Sequence, residues 1–120
     1  MVSKRWAPDR RDVIWINCNP QAGREMKDFH PLQVLSPKAF NERTGIVIGL
    51  PMTTAEYNET NPFALRIDSP GKKTSYILVH QPKSFDWRAR DAKPHPLRQV
   101  SEDVLAAACK VLNQIIDIGV

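Results

Sequence analysis

Cysteine is scarce in this chain, and what there is argues against disulfide or zinc chemistry. Of 120 residues only Cys18 and Cys109 are cysteine. They lie far apart, with no CxxC or Cys/His ligand spacing, and read as buried free thiols of a reducing compartment. No apolar run approaches the roughly 20 residues that span a bilayer, so no membrane helix is expected. The first residues, Met1-Val2-Ser3-Lys4-Arg5-Trp6, lack the apolar core of a signal peptide, and a cytoplasmic location is expected. Internal repeats and low-complexity segments are also missing. The length suits a single domain, 1–120, with one core.

What is present is ordinary for a globular protein, with 42% hydrophobic and 25% charged residues. The net charge of +4 tilts the chain towards polyanionic partners. It does so weakly, because charge of that size is common in proteins that never touch nucleic acid.

Along the chain, residues 1–11 are a polar, basic lead. Val13 to Cys18 alternates as a strand with at least one buried face. Pro20 to Gly23 breaks it, and Arg24 to Phe29 reads as a loop. Leu32 to Leu35 is a second strand, with Pro31 at its start, where a missing N–H is tolerated. Ser36-Pro37 reads as a helix cap followed by proline in the first helical position, opening a single turn through Asn41 that Gly45 closes. Ile46 to Leu50 is the best candidate for a central strand. A loop from Thr53 to Pro62, strands at Phe63–Ile67 and Thr74–Val79, and a turn at Pro70–Lys73 follow. Short strands at this spacing argue for a mainly β fold, a small antiparallel barrel. At the C-terminus the period changes. Ser101 caps a helix with Glu102 and Asp103 in its first turn. Val104, Leu105, Ala108, Val111, Leu112, Ile115 and Ile116 then fall on one face.

The most informative stretch is Asp12-Val13-Ile14-Trp15, then Pro20-Gln21-Ala22-Gly23-Arg24-Glu25, then His30-Pro31-Leu32-Gln33-Val34-Leu35-Ser36-Pro37. Pro51-Met52-Thr53-Thr54 and Gln81-Pro82-Lys83-Ser84, with Trp87-Arg88-Ala89-Arg90 beyond, complete the set. No one piece is specific, but in this order and spacing the chain resembles, from about Pro8 to Ile116, the MazF/PemK (Kid, ChpB) family of type II toxin–antitoxin endoribonucleases. The resemblance implies an SH3-like antiparallel β-barrel with a C-terminal amphipathic helix, a homodimer, and a cognate antitoxin as protein partner. It implies metal-independent, cofactor-free, sequence-specific cleavage of single-stranded RNA to a 2′,3′-cyclic phosphate and a 5′-hydroxyl. In the family an arginine before the proline of the R-P motif is central to catalysis, assisted by a threonine or serine at the P-x-T strand end. Here those positions hold His30 and Thr53. Some members use an aspartate where this chain has His80, and Arg24 stands at the small or histidine position before Glu25.

The reaction sets its own requirements. A base takes the 2′-hydroxyl proton, an acid protonates the departing 5′-oxygen, and a cation or N–H donors meet the charge on the non-bridging oxygens. Both nucleophile and leaving group belong to the RNA, so no metal is needed. His30 and His80 are the candidate acid–base pair, because imidazoles with pKa near about 6.5 divide such work at neutral pH. Arg24 is placed to supply charge, and Glu25 is a candidate base or a structural residue. Thr54, Gln81, Lys83, Arg88 and Arg90 are candidate RNA contacts. Trp87 reads as a buried aromatic between guanidiniums that hold phosphates. Trp15 reads as core, and the stretch from Arg88 to Arg98 as a basic loop. The Ile46–Leu50 strand with Pro51-Met52 offers a candidate dimer surface. Two alternatives stay open: an attenuated homologue that binds RNA or antitoxin without cutting, and a CcdB-like toxin that binds gyrase, the latter by fold analogy alone.

Overall fold

The computed structural model describes residues 6–19, 28–68 and 70–117. Among them the apolar segments form seven strands: β1 (Asp12–Asn17), β2 (Phe29–Val34), β3 (Ile46–Thr53), β4 (Ala64–Ile67), β5 (Ser75–Leu78), β6 (Lys83–Asp86) and β7 (Lys93–Gln99). Two helices accompany them, α1 (Lys38–Thr44) and α2 (Glu102–Ile115), with a 3-10 segment over Glu56–Thr60. Every strand pairing is antiparallel, in the order β4-β5-β3-β2-β1-β7, and β6 also pairs with β3. The result is a mainly β, curled antiparallel sheet of the half-barrel type with a C-terminal helix.

Two prolines fix where β3 changes partners. Leu35 N–H donates to the Ile48 carbonyl, and Gln33 faces Leu50 in the same register. The next hydrogen-bonded pair would be Pro31 with Met52, but Pro31 has no N–H to give. The β2–β3 ladder accordingly stops at Leu32–Pro51. On the opposite edge β6 pairs with β3 as far as Gly49, and β5 takes over from Met52. Pro51, again without a donor, sits at that changeover, and residues 79–82 bulge out beside it.

The two sheet faces bury separate cores. Ile14, Ile16, Leu32, Val34, Val47, Phe85 and Trp87 fill one. Val13, Leu50, Met52, Ile77 and Val79 fill the other, covered by Val104, Leu105, Ala108, Val111 and Leu112 of α2. Ser101 caps α2 by accepting from Val104 N–H at 3.2 Å, with Glu102 and Asp103 in the first turn. The apolar stripe ends sooner than its periodicity predicts: Ile115 and Ile116 are 39% and 45% exposed, beyond the edge of the sheet.

Asn41 ties the N-terminal segment to this frame. Its buried side chain donates to the Pro8 and Ser36 carbonyls at 2.8 and 2.9 Å, and Trp87 Nε1 donates to its backbone carbonyl at 2.7 Å. Ser36 is therefore not a helix cap. Its hydroxyl bonds Asn41 and accepts from Ile48 N–H, and Pro37 takes the cap position without a side-chain bond. The helix runs on to Thr44 rather than one turn, and Gly45 ends it at φ 72°.

Other boundaries also differ from the sequence expectation. β2 begins at Phe29, so Pro31 lies inside it, opposite Trp15. Thr53 to Pro62 contains the 3-10 segment, and the supposed basic loop after Arg88 contains β7. β3 is central as expected, but of the suggested dimer surface Leu50, Pro51 and Met52 are buried and Ile48 is exposed. Cys18 is buried and Cys109 half-buried, both free. Burial pushes the Cys18 thiol up, keeping it protonated.

Gly49 marks the tightest approach in the sheet. A Cβ there would lie 2.5 Å from the Gln33 carbonyl oxygen and 2.8 Å from Leu32 Cγ. Backbone cannot yield as a side-chain tip can, so Gly49→Ala is expected to cost about 3 kcal/mol, the upper end of ordinary overpacking. Chemical denaturation of the two proteins measures it, and an equal midpoint would show that the sheet relaxes freely there.

Candidate active site

Beyond Leu32–Pro51, where β2 and β3 cease to pair, the sheet opens into a cavity of about 400 Å³. Trp15 of β1 and Phe29, His30 and Pro31 of β2 line one side. Met52 and Thr53 end β3 on the other, with Thr54 after them and Ser75 of β5 alongside. Lys72 and Lys73 reach it from the β4–β5 hairpin, and His95 and Leu97 from β7. The lining is thus an apolar and aromatic floor rimmed by three hydroxyls, two imidazoles and two ammonium groups. Flat bases stack on such aromatics while the cations meet phosphates.

Two of these polar groups have a defined hydrogen-bonding role. The Thr53 hydroxyl accepts from Ala55 N–H at 3.2 Å, which leaves its own O–H to donate. His95 stacks on Trp15 with ring centroids 4.6 Å apart, and its Nδ1 accepts from Leu97 N–H at 3.0 Å. That bond requires an unprotonated Nδ1, so the neutral ring carries its proton on Nε2 and presents a donor, not a base. Burial, with the charge of Lys72 added, lowers the His95 pKa below the usual 6.5. Phe29 is exposed, with Lys93 Nζ 5.8 Å from its ring centroid.

A larger adjoining cavity, about 540 Å³, shares Thr54 and Lys73 but also carries Glu56 and Glu59, which disfavour a polyanion. Its wall is a fixed network. Tyr76 and Arg66 both donate to Glu59, Arg66 Nε reaches Asp68 at 3.1 Å, and Thr74 donates to Asp68 at 2.7 Å. The Tyr76 hydroxyl, with Arg66, holds the Glu59 carboxyl below its ordinary range, and the same bond raises the Tyr76 phenol. The Thr74 hydroxyl, then Arg66, lowers Asp68.

Of the residues singled out in the sequence, the structure brings His30, Thr53 and Thr54 into one cavity. His80 is not among its lining. It lies in the bulge after β5, exposed, with Gln81 Nε2 3.3 Å from its Nε2 and Phe63 against its ring at 6.2 Å. Gln81 and Lys83 follow it outside the cavity. Trp87 is buried as expected. Arg88 stacks on it at 4.3 Å and donates to the Glu42 carbonyl at 3.4 Å. Arg90 donates to the carbonyls of Asn17, at 3.1 Å, and of Asn19, with Phe85 under its guanidinium, and so holds the end of β1. Arg24 and Glu25 lie outside the described residues. The flanks of their segment are joined: Asn19 and Asp28 exchange side-chain bonds at 2.9 and 3.0 Å, and Cys18 N–H donates to the Asp28 carbonyl at 2.7 Å.

Sequence reading missed Lys72, Lys73, His95 and the exposed face of Trp15, which was taken for core. The Lys-Lys pair after Pro70-Gly71 was a visible cue, and so was the alternation that sets Trp15 opposite to Ile14 and Ile16.

Comparison with known proteins agrees with this architecture. The sequence model of the PemK-like, MazF-like toxins of type II toxin–antitoxin systems matches residues 9–116, and the chain belongs to that family. It is 38% identical over 92 residues to the endoribonuclease toxin MazF of Escherichia coli, covering 77% of this chain and 79% of that protein. Endoribonuclease PemK of Escherichia coli is 26% identical over 118 residues, covering 97% and 87%. The crystal structure of MazF from Deinococcus radiodurans superposes with a TM-score of 0.84 at 31% identity, covering 94% of this chain and 99% of that one. A MazE–MazF structure from the same organism gives a TM-score of 0.76 at 27% identity, covering 92% and 96%.

The His95 stack predicts a pH response. Its folded pKa is depressed, so between the folded and unfolded values the unfolded chain binds more protons and stability falls as pH drops. The contribution is fully present above about pH 6.5, the unfolded imidazole value, and is lost on acidification towards the folded pKa. Thermal midpoints measured from pH 7.5 to 5 should fall less in His95→Gln than in the parent. Parallel curves would show that His95 carries no such linkage.

Proposed function

We propose that this chain is the toxin of a type II toxin–antitoxin system and an endoribonuclease that cuts single-stranded RNA at short sequences without a metal. The observation that carries the reading is the cavity where β2 and β3 part. Within a MazF/PemK chain it gathers an imidazole, two threonine hydroxyls and two lysines over an aromatic floor. The curated relatives are named endoribonucleases, which supports cleavage over gyrase binding.

The steps follow from the groups at hand. The ribose 2′-oxygen attacks the adjacent phosphorus as His30 takes its proton, and the bond to the 5′-oxygen breaks. That oxygen takes a proton from solvent water, leaving a 2′,3′-cyclic phosphate and a 5′-hydroxyl. The Thr53 O–H donates to a non-bridging oxygen, and Thr54 extends the contact. His80, stacked on Phe63 outside the cavity, is left out of this scheme. Lys83 and Arg88 contact the RNA strand beyond the cavity, while Arg90 acts by holding the loop flank.

The chain works as a single unit in the cytoplasm and forms a homodimer. Its protein partner is a cognate antitoxin, as in the MazE–MazF assemblies of Deinococcus radiodurans. Among the described residues no helix is long and apolar enough to cross a membrane.

The test is incubation of a long single-stranded RNA with purified protein in EDTA, followed by mapping of the ends. Discrete cuts with 5′-hydroxyl termini are expected. His30→Ala should slow them by about 10²- to 10⁴-fold, the usual worth of a general base. Thr53→Val should slow them by about 10²-fold, as for loss of one oxyanion donor. RNA that stays intact yet is retarded on a gel would identify a binding homologue without cleavage.

A further inference from the structure

We infer that Lys72 and Lys73 supply the positive charge that the family's motif places at position 30, where this chain has a histidine. The inference deepens the proposed ribonuclease reading and rests on it. Charge that develops on the non-bridging oxygens needs a preorganised cation or donor close by. An imidazole near neutral pH is charged only part of the time, and one acting as a base must begin uncharged.

The geometry then narrows the source. Among the described residues lining the cavity, the side chains that stay charged at neutral pH are Lys72 and Lys73. Arg88 and Arg90 are engaged with backbone carbonyls and aromatic faces elsewhere. Lys72 lies close enough to His95 for its charge to depress that imidazole. Lys73, with Thr54, lines both cavities and stands at the border between the threonines and the acidic wall.

The hairpin that presents the lysines is tied at its neck. Thr74, the next residue, donates to Asp68 at 2.7 Å, and Arg66 joins Asp68 to Glu59. Tyr76 donates to the same Glu59 from β5. Lys72 and Lys73 therefore belong to a turn braced at its base, and they line the same cavity as Thr53. A preorganised cation is worth more than one that must be positioned during the reaction.

Single and double Lys→Gln variants at positions 72 and 73 test the assignment, with kcat and KM measured separately on one RNA. The double variant should lose about 10²- to 10³-fold in kcat, as when an oxyanion donor is removed. Both side chains are exposed, so its thermal midpoint should match the parent's. The Lys72→Arg, Lys73→Arg double variant, which keeps both charges, should hold most of the parent's kcat. A rise in KM alone, or an undiminished kcat, would reduce the lysines to strand-binding residues and overturn the inference. Loss confined to Arg24→Gln, with the lysine variants cutting normally, would overturn it as well. In those cases the parent still cuts RNA and the ribonuclease reading stands. A parent that cuts no RNA defeats both.

Discussion

The hydrogen bond that Pro31 cannot make governs the rest of this molecule. An antiparallel ladder continues as long as each strand offers a donor at the right parity, and at Pro31 the offer lapses. Met52 and Thr53 turn to β5, while Phe29 and His30 stay with β1. Four strands that would otherwise close side by side separate by one cavity. His30, Thr53 and Thr54 stand on its walls beside that break in the ladder. Pro51 does the equivalent on the other edge, where one long partner is split into β5 and β6 and His80 stands exposed between them.

The cavity combines features that reinforce one another. Its apolar floor lowers the local dielectric, which strengthens the pull of any cation on phosphate oxygens. The same floor, through Trp15, fixes the ring of His95, and the backbone N–H of Leu97 fixes its tautomer. An imidazole held in that state can donate to an oxygen but cannot take a proton without giving up its backbone bond. Two histidines line one cavity and are thus not equivalent: the Leu97 N–H holds His95 as a donor, and in the proposed scheme the base is His30.

The legible part of the fold was the part with strong apolar periodicity. β1, β3 and α2 announced themselves, as did Gly45 as a helix stop. β7 did not, because Lys93–Gln99 reads K-P-H-P-L-R-Q, polar and twice interrupted by proline. It pairs with β1 alone, where missing donors can face outward, and only His95 and Leu97 are half-buried. The register with β1 shifts between Asp12 and Ile14, and Arg98 takes φ 67°. No pattern of residue types encodes that irregularity. In the site, His30, Thr53 and Thr54 were legible because they stand at the R-P and P-x-T-T positions of the family resemblance. Lys72, Lys73 and His95 were not, since only the curl of the sheet sets a hairpin tip and an edge strand against the end of β3. Ser36 and Arg90 show the opposite error. Their local context suggested a cap and a phosphate contact, and tertiary partners claimed both.

The joined flanks of the segment after β1 have an evolutionary consequence. Asn19 and Asp28 are locked to each other, and the Arg90 fork holds Asn17 and Asn19 from the far side of the sheet. Both attachment points are specified by residues outside the eight positions between them. The ends of the segment are thus held from outside it. Single substitutions between them leave the bonds at Asn17, Asn19 and Asp28 in place, so evolution can exchange residues there at little cost to the sheet.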